Sequence, residues 1–186
     1  MKKKRKYIVG IDEAGRGPLA GPVSIGAVLG GNIKFLKNIK DSKKLSAKQR
    51  EVWAEIIKAN FSYYNILISH KVIDKIGISK AIYIGVEKIL QKFDCKIDLV
   101  LLDGALKAPK NYKQKTIIKG DEKIPLISAA SIIAKTTRDK KMLHFHKKFP
   151  QYCFDKHKGY ATKLHYKMLK KYGLCCFHRR SFLARV

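Results

Sequence analysis

Acidic residues are scarce in this chain. Its 186 residues carry 14 Asp+Glu against 41 Lys+Arg, a formal net charge of +27. An excess of that size points to a polyanionic partner, nucleic acid before an anionic membrane surface. Long apolar runs are also missing. None approaches the ~18 residues of a membrane-spanning helix, so no membrane partner is expected. The basic residues 2–6 resemble a signal-peptide n-region, but the apolar stretch behind them, residues 7–11, is cut by Asp12 and Glu13. That is too short for an h-region. Cysteine is sparse: Cys95, Cys153, Cys175 and Cys176 form no CxxC pair, which supports neither zinc nor a disulfide framework. Reduced thiols and a cytoplasmic location are expected. Repeats and low-complexity linkers are lacking. What is present is 46% apolar residues, an ordinary globular value. The length suits one domain, 1–186, able to bury a core without metal or disulfide staples.

Local patterns predict an α/β chain. Residues 7–11, Val23–Leu29 and 61–69 read as strands, and Gly30, Gly31 and Asn32 as a turn. Ser46 can cap a helix running to about Ala59. Ser79 opens another, with Ile82, Val86, Ile89 and Leu90 on one face. Short apolar runs at 99–102 and 116–118 read as further strands. A long helix is expected over about 127–148 and a last one over about 162–172. Strands first, then strands alternating with helices, predict a mixed sheet with helices on both faces. Later strands joined through helices should run parallel.

In so basic a chain the position of each acid is informative. Asp12–Glu13, Asp103 and Asp121 each follow an apolar, strand-like run and sit close to a glycine. Strand ends in open α/β sheets are where sites form. Four carboxylates gathered there would repel one another and raise their pKa values unless cations filled the cluster. All-oxygen ligands favour Mg²⁺ or Mn²⁺ over zinc, and two such ions about 3.5–4 Å apart support in-line phosphodiester chemistry. The alternative is that these acids only form loops and caps. Asp139 follows Arg138 within a helix and reads as an ion-pair member. Glu122 is a closer rival for the site, and the other acids read as solvated partners of lysine.

Residues 140–186 hold 13 Lys+Arg, five histidines and a single acid, Asp155. This helical, basic region is the expected substrate-binding surface. Its aromatics include candidates for stacking on a base or sugar, although an aromatic at helical spacing usually belongs to a core.

The residues from Gly10 to Pro22, with Asp12-Glu13-Ala14-Gly15-Arg16-Gly17 at their centre, resemble the signature of ribonuclease HII. The resemblance continues through Asp41-Ser42-Lys43-Lys44-Leu45, Leu102-Asp103-Gly104, Lys119-Gly120-Asp121, the stretch from Ile127 to Asp139, His157-Lys158-Gly159-Tyr160 and His178-Arg179-Arg180-Ser181-Phe182. The blocks stand in family order and span nearly the whole chain. The resemblance implies a ribonuclease H-like fold with a five-stranded mixed sheet. It implies an endonuclease that cleaves the RNA of RNA–DNA hybrids and nicks duplex DNA 5′ to an embedded ribonucleotide, leaving 3′-hydroxyl and 5′-phosphate ends. Misincorporated ribonucleotides and RNA primers are the expected targets. Asp12, Glu13, Asp103 and Asp121 take the place of the family's ligands to two Mg²⁺ or Mn²⁺ ions.

By the same resemblance Gly15, Arg16 and Gly17 sense the ribose 2′-hydroxyl. Tyr160 stacks on the following deoxyribose and so senses the RNA–DNA junction. Arg16, Lys43, Lys44 and Lys119 are candidate phosphate contacts. Cys153 stands where the family commonly has Gly, Gly77 where Asn is usual, and Leu174-Cys175-Cys176 replace a Pro-containing stretch. A monomer is expected, and residues 182–186 contain no evident sliding-clamp motif. Two other readings stay open: a ribonuclease HIII-like hybrid nuclease, against which the roughly six residues before the first strand argue, and a non-catalytic basic nucleic-acid-binding protein.

Overall fold

The computed structural model describes residues 6–30, 33–39 and 42–183. The basic start, Asn32, Asp41 and the last three residues lie outside them. The elements run in chain order as β1 (Ile8–Ala14), β2 (Val23–Leu29), α1 (Ala47–Asn60), β3 (Tyr63–Ile68), α2 (His70–Ile76), α3 (Ile78–Leu90), β4 (Leu99–Asp103), β5 (Gln114–Ile117), α4 (Gly120–Lys123), α5 (Pro125–Lys148), α6 (Phe154–His157), α7 (Lys163–Tyr172) and α8 (Arg180–Leu183). Short 3-10 turns cover Ile33–Leu36, Ser42–Lys44 and Pro150–Tyr152.

One five-stranded sheet has the order β3-β2-β1-β4-β5. β1 is antiparallel to β2 and β2 to β3, whereas β1 and β4, and β4 and β5, run parallel. This is the expected mixed sheet with the ribonuclease H-like arrangement. One detail differs: β4 and β5 are joined by residues 104–113 without a helix. A second is that β1 runs on to Ala14, so Asp12 and Glu13 lie within the strand rather than beyond it. α2 has no counterpart in the sequence pattern, being a single short helix capped by Ser69.

The sheet buries both faces, because period-2 alternation sends successive side chains to opposite sides. Val9 and Ile11 of β1 and Val23, Ile25 and Ala27 of β2 pack with Ile82, Val86, Ile89 and Leu90 of α3. On the other face Val28 meets Ala129, Ala130, Ile132 and Ile133 of α5 and Ala54 and Ile57 of α1. α5 crosses β1 and β2 at glycines. A side chain on Gly10 would strike Leu126, and one on Gly26 would strike the Ala130 carbonyl and the Ala134 amide. The small residues in the first half of α5 thus permit close approach to the strands that carry Asp12.

A third cluster closes the C-terminal region. Phe145, Tyr152 and Phe154 are buried with Ala20 and Met142, and Phe149 and Phe177 pack against them. The core reading of these aromatics therefore holds, while Tyr160, Tyr166 and Tyr172 stay exposed. Cys153 has φ of +53°, a left-handed conformation that glycine adopts at no steric cost. That accounts for the residue type more usual at this position.

Candidate active site

Parallel pairing builds the site. Ile11 of β1 lies in register with Leu102 of β4, so the next residues, Asp12 and Asp103, emerge side by side. Asp103 is in register with Ile117 of β5. Beyond β5, Lys119 takes a left-handed conformation and starts α4. Gly120 then donates its amide to Asp103 Oδ1 at 2.7 Å. That bond draws Asp121 toward the other two acids. Oxygen atoms of Asp12, Asp103 and Asp121 lie within 4.8 Å of one another.

Asp12 and Asp121 are buried and Asp103 is half-buried. Burial, then the charge of Glu13, pushes the Asp12 carboxyl well above the usual carboxylate range; Asp103 adds to this, while hydrogen bonds from Ser131 and the Glu13 amide oppose it. Crowded carboxylates in a low-dielectric setting call for a cation. Lys43 reaches Asp121 Oδ2 at 2.9 Å. The triad offers only oxygen donors, the set that suits a hard divalent ion, so the residues present fit a metal site. Glu13 lines the same cleft, but its carboxylate is engaged by Arg16 Nε at 2.9 Å and it stands outside the triad.

The cleft, about 270 Å³, is walled by Asp12, Glu13, Gly15, Arg16, Gly17, Lys43, Asp103 and Tyr160, and also by Ser42, Arg50, Ser131 and Lys135. It thus gathers most of the sequence candidates. Asp121, Lys44 and Lys119 do not line it: Asp121 is buried beside Asp12 and Asp103, Lys44 pairs with Glu122 at 3.3 Å, and Lys119 is exposed at the start of α4. Asp139 is ion-paired as expected, with Lys135 at 2.8 Å. Two acids read as lysine partners serve the backbone instead. Asp74 accepts the Arg180 and Ser181 amides at the start of α8, and Asp98 accepts the Tyr7 amide.

The supports beneath the cleft are not legible in the sequence. Ser131 of α5 bonds Asp12 and lies 2.8 Å from the Ser42 hydroxyl. Arg50 of α1 donates to the carbonyls of Ser42 and Leu45, which fixes the turn bearing Lys43. Two arginines are fully buried and bonded to carbonyls. Arg179 donates to Gly15, Arg16 and Gly21; Arg138 donates to Ala20, Pro22 and Lys158. Arg179 thus clamps the Gly-Arg-Gly loop from behind, and Arg138 ties the segment after it to the turn at Lys158. Burial, then the neighbouring Arg138 charge, lowers Arg179 to about 9. Neither arginine carries a local signal: Arg138 stands among polar and basic residues of α5 and Arg179 just before α8, and the several acceptors a buried guanidinium needs come from elsewhere in the chain.

A family model described as Ribonuclease HII matches residues 9–185. The chain belongs to the ribonuclease HII family. It is 43% identical over 182 residues to a "Ribonuclease HII" of Caldicellulosiruptor bescii, covering 97% of this chain and 88% of that one. It is 47% identical over 181 residues to the "Ribonuclease HII" of a Sulfurihydrogenibium species, covering 94% and 89%. Among solved structures it resembles the ribonuclease HII in a PCNA complex from Archaeoglobus fulgidus, with a TM-score of 0.84, 26% identity and coverage of 96% and 95%. As a ribonuclease HII, the chain is an endonuclease acting on the RNA of RNA–DNA hybrids, and Asp12, Asp103 and Asp121 are able to bind a divalent metal. Among the described residues no helix is long and apolar enough to cross a membrane.

Proposed function

We propose that this ribonuclease HII also nicks duplex DNA on the 5′ side of a single embedded ribonucleotide, leaving 3′-hydroxyl and 5′-phosphate ends. Removal of misincorporated ribonucleotides and RNA primers in the cytoplasm is the corresponding role. The observation that carries the reading is the shared cleft: Asp12 and Asp103 of the triad, the Gly15–Arg16–Gly17 loop and Tyr160 face one volume, with Asp121 beside the two acids. A group that reads the sugar thus lies beside groups that suit hydrolysis of its phosphodiester.

Asp12, Glu13, Asp103 and Asp121 would hold two Mg²⁺ or Mn²⁺ ions. The chemistry those ions supply at such a site is activation of water and stabilisation of the departing 3′-oxygen. The chain's own residues do the rest. Gly15 and Gly17 let the backbone approach the ribose, whose 2′-hydroxyl marks RNA. Arg179 holds that loop in place by its carbonyls, and Arg138 holds the segment that follows it through Ala20 and Pro22. Arg16, Lys43, Lys44 and Lys119 neutralise phosphates along the duplex. Tyr160, 39% exposed, offers a face on which the next deoxyribose stacks. Residues 140–186 extend the basic surface along the substrate. The functional unit is a monomeric domain over 1–186.

The test is cleavage of a 5′-labelled DNA duplex containing one ribonucleotide, in Mg²⁺ or Mn²⁺, with all-DNA and all-RNA duplexes as controls. A single nick 5′ to the ribonucleotide is expected. Cleavage of a long RNA–DNA hybrid without that nick would replace the reading by ribonuclease HIII-like specificity.

A further inference from the structure

Three histidines lie buried behind Tyr160, and nothing in the site chemistry uses them. His165 is 0% exposed and His178 2%. Their protons can be assigned from hydrogen bonds. His165 Nδ1 lies 3.0 Å from the Tyr160 carbonyl, which only accepts, so Nδ1 carries the proton. In the neutral ring Nε2 is then an acceptor. His178 Nε2, 3.0 Å away, must donate to it. His178 Nδ1 in turn accepts the Cys175 amide at 2.8 Å. His157 stacks on His165 with ring centroids 4.3 Å apart. Its Nδ1 accepts the Gly159 amide, so its Nε2 donates to the Tyr152 carbonyl at 2.8 Å.

Two of these bonds end on the peptides at Gly159 and Tyr160, and the others hold the rings that make them. The turn needs holding: Lys158 and Gly159 both have positive φ, 50° and 83°, and such conformations persist where the surroundings over-determine them. Two cations face the Tyr160 ring, Lys135 at 5.5 Å and Arg138 at 5.4 Å from its centroid. The histidine bonds hold the same residue and its neighbour Gly159 from behind, through the backbone.

We infer that His165 and His178 form a directed hydrogen-bond chain, Cys175 N–H to His178 to His165 to the Tyr160 carbonyl, that positions Tyr160 for reading the RNA–DNA junction. They are positioning residues and do not touch substrate. The inference rests on the proposed junction-reading role of Tyr160. It also gives Cys175, at a point where the chain departs from its family's pattern, a use that depends on its backbone and not its thiol.

The test compares kcat/KM on a duplex with one embedded ribonucleotide with kcat/KM on a uniform RNA–DNA hybrid. Tyr160→Ala should lower the ratio of the two. His165→Leu should lower it by about fivefold, as the buried hydrogen bond to the Tyr160 carbonyl is lost along with the link to His178, with hybrid cleavage retained. His165→Asn keeps a donor near the Nδ1 position and should recover most of the ratio. His178→Asn keeps the acceptor for the Cys175 amide but not the link to His165, and should lower the ratio even if His165→Leu fails to fold. A wild-type ratio in His165→Leu and His178→Asn, with a lowered one in Tyr160→Ala, would overturn the inference alone. An equal fall on both substrates in the histidine variants would show a structural role and overturn it too. An unchanged ratio in Tyr160→Ala would overturn the reading of Tyr160 and this inference together.

Discussion

Asp103 has two tasks, and one substitution separates them. Its Oδ1 accepts the Gly120 amide, a bond that an asparagine Oδ1 can still make. Its charge, by contrast, belongs to the carboxylate triad. Asp103→Asn should therefore keep the fold and abolish cleavage, while hybrid binding is kept or tightened because one negative charge facing phosphate is gone. Turnover measured beside anisotropy of a labelled hybrid checks this; undiminished turnover would remove Asp103 from the site. At this scale the four acids were legible because acids are rare in a +27 chain and these follow strand-like runs. Ser131, Arg138 and Arg179 were not legible as supports. A hydroxyl or guanidinium reveals its partner only once distant backbone carbonyls or carboxylates have been folded onto it.

Elements with local signals were read well. Ser46 caps α1 with a full capping box through Gln49, and Thr162 caps α7 by accepting the His165 amide. α3 begins at Ile78, one residue before the expected Ser79, with Gly77 as its cap at φ of +78°. Strand limits were read less well. β1 continues through Asp12 and Glu13 because β2 pairs with them, and pairing with a distant strand outweighs the polarity of two residues. The α5 crossing gives a prediction at this scale. Gly26 lies opposite Asp12 across the β1–β2 ladder and beneath the Ala130 carbonyl. Gly26→Ala forces backbone apart and should cost about 1–3 kcal/mol as an overpacked core. For a chain of this size that lowers Tm by roughly 2–12 °C, and cleavage should fall with it as β1 shifts. Calorimetry with an unchanged midpoint would show that α5 can yield.

For the whole molecule, stability should depend on pH through its buried histidines. Burial lowers His165 and His178 from 6.5 to about 4, and lowers His157 as well. Between those values the unfolded chain binds more protons than the folded one, so stability rises with pH. It is present above 6.5 and is lost as pH falls toward 4. Asp12 acts in the opposite sense, since its raised carboxyl takes a proton more readily when folded. Tm measured from pH 7 to 4.5 should fall, and fall less steeply in His165→Leu, which isolates the histidine share. Equal slopes would contradict neutral, buried rings.

The order of residues carries whatever local chemistry can express: the basic charge, the capped and periodic helices, the ordered motif blocks and the acids at strand ends. These need only neighbours along the chain. The tertiary structure alone decided which of those acids meet. Parallel pairing of β1 with β4 sets Asp12 beside Asp103, the Gly120 amide brings in Asp121, and Arg16 engages Glu13. It also decided that two arginines and three histidines lie buried behind the turns at Gly15–Gly17 and Lys158–Tyr160, with hydrogen bonds that fix the histidine protons. Register, burial and desolvation depend on residues far apart in the chain, and they exist only after the sheet has formed.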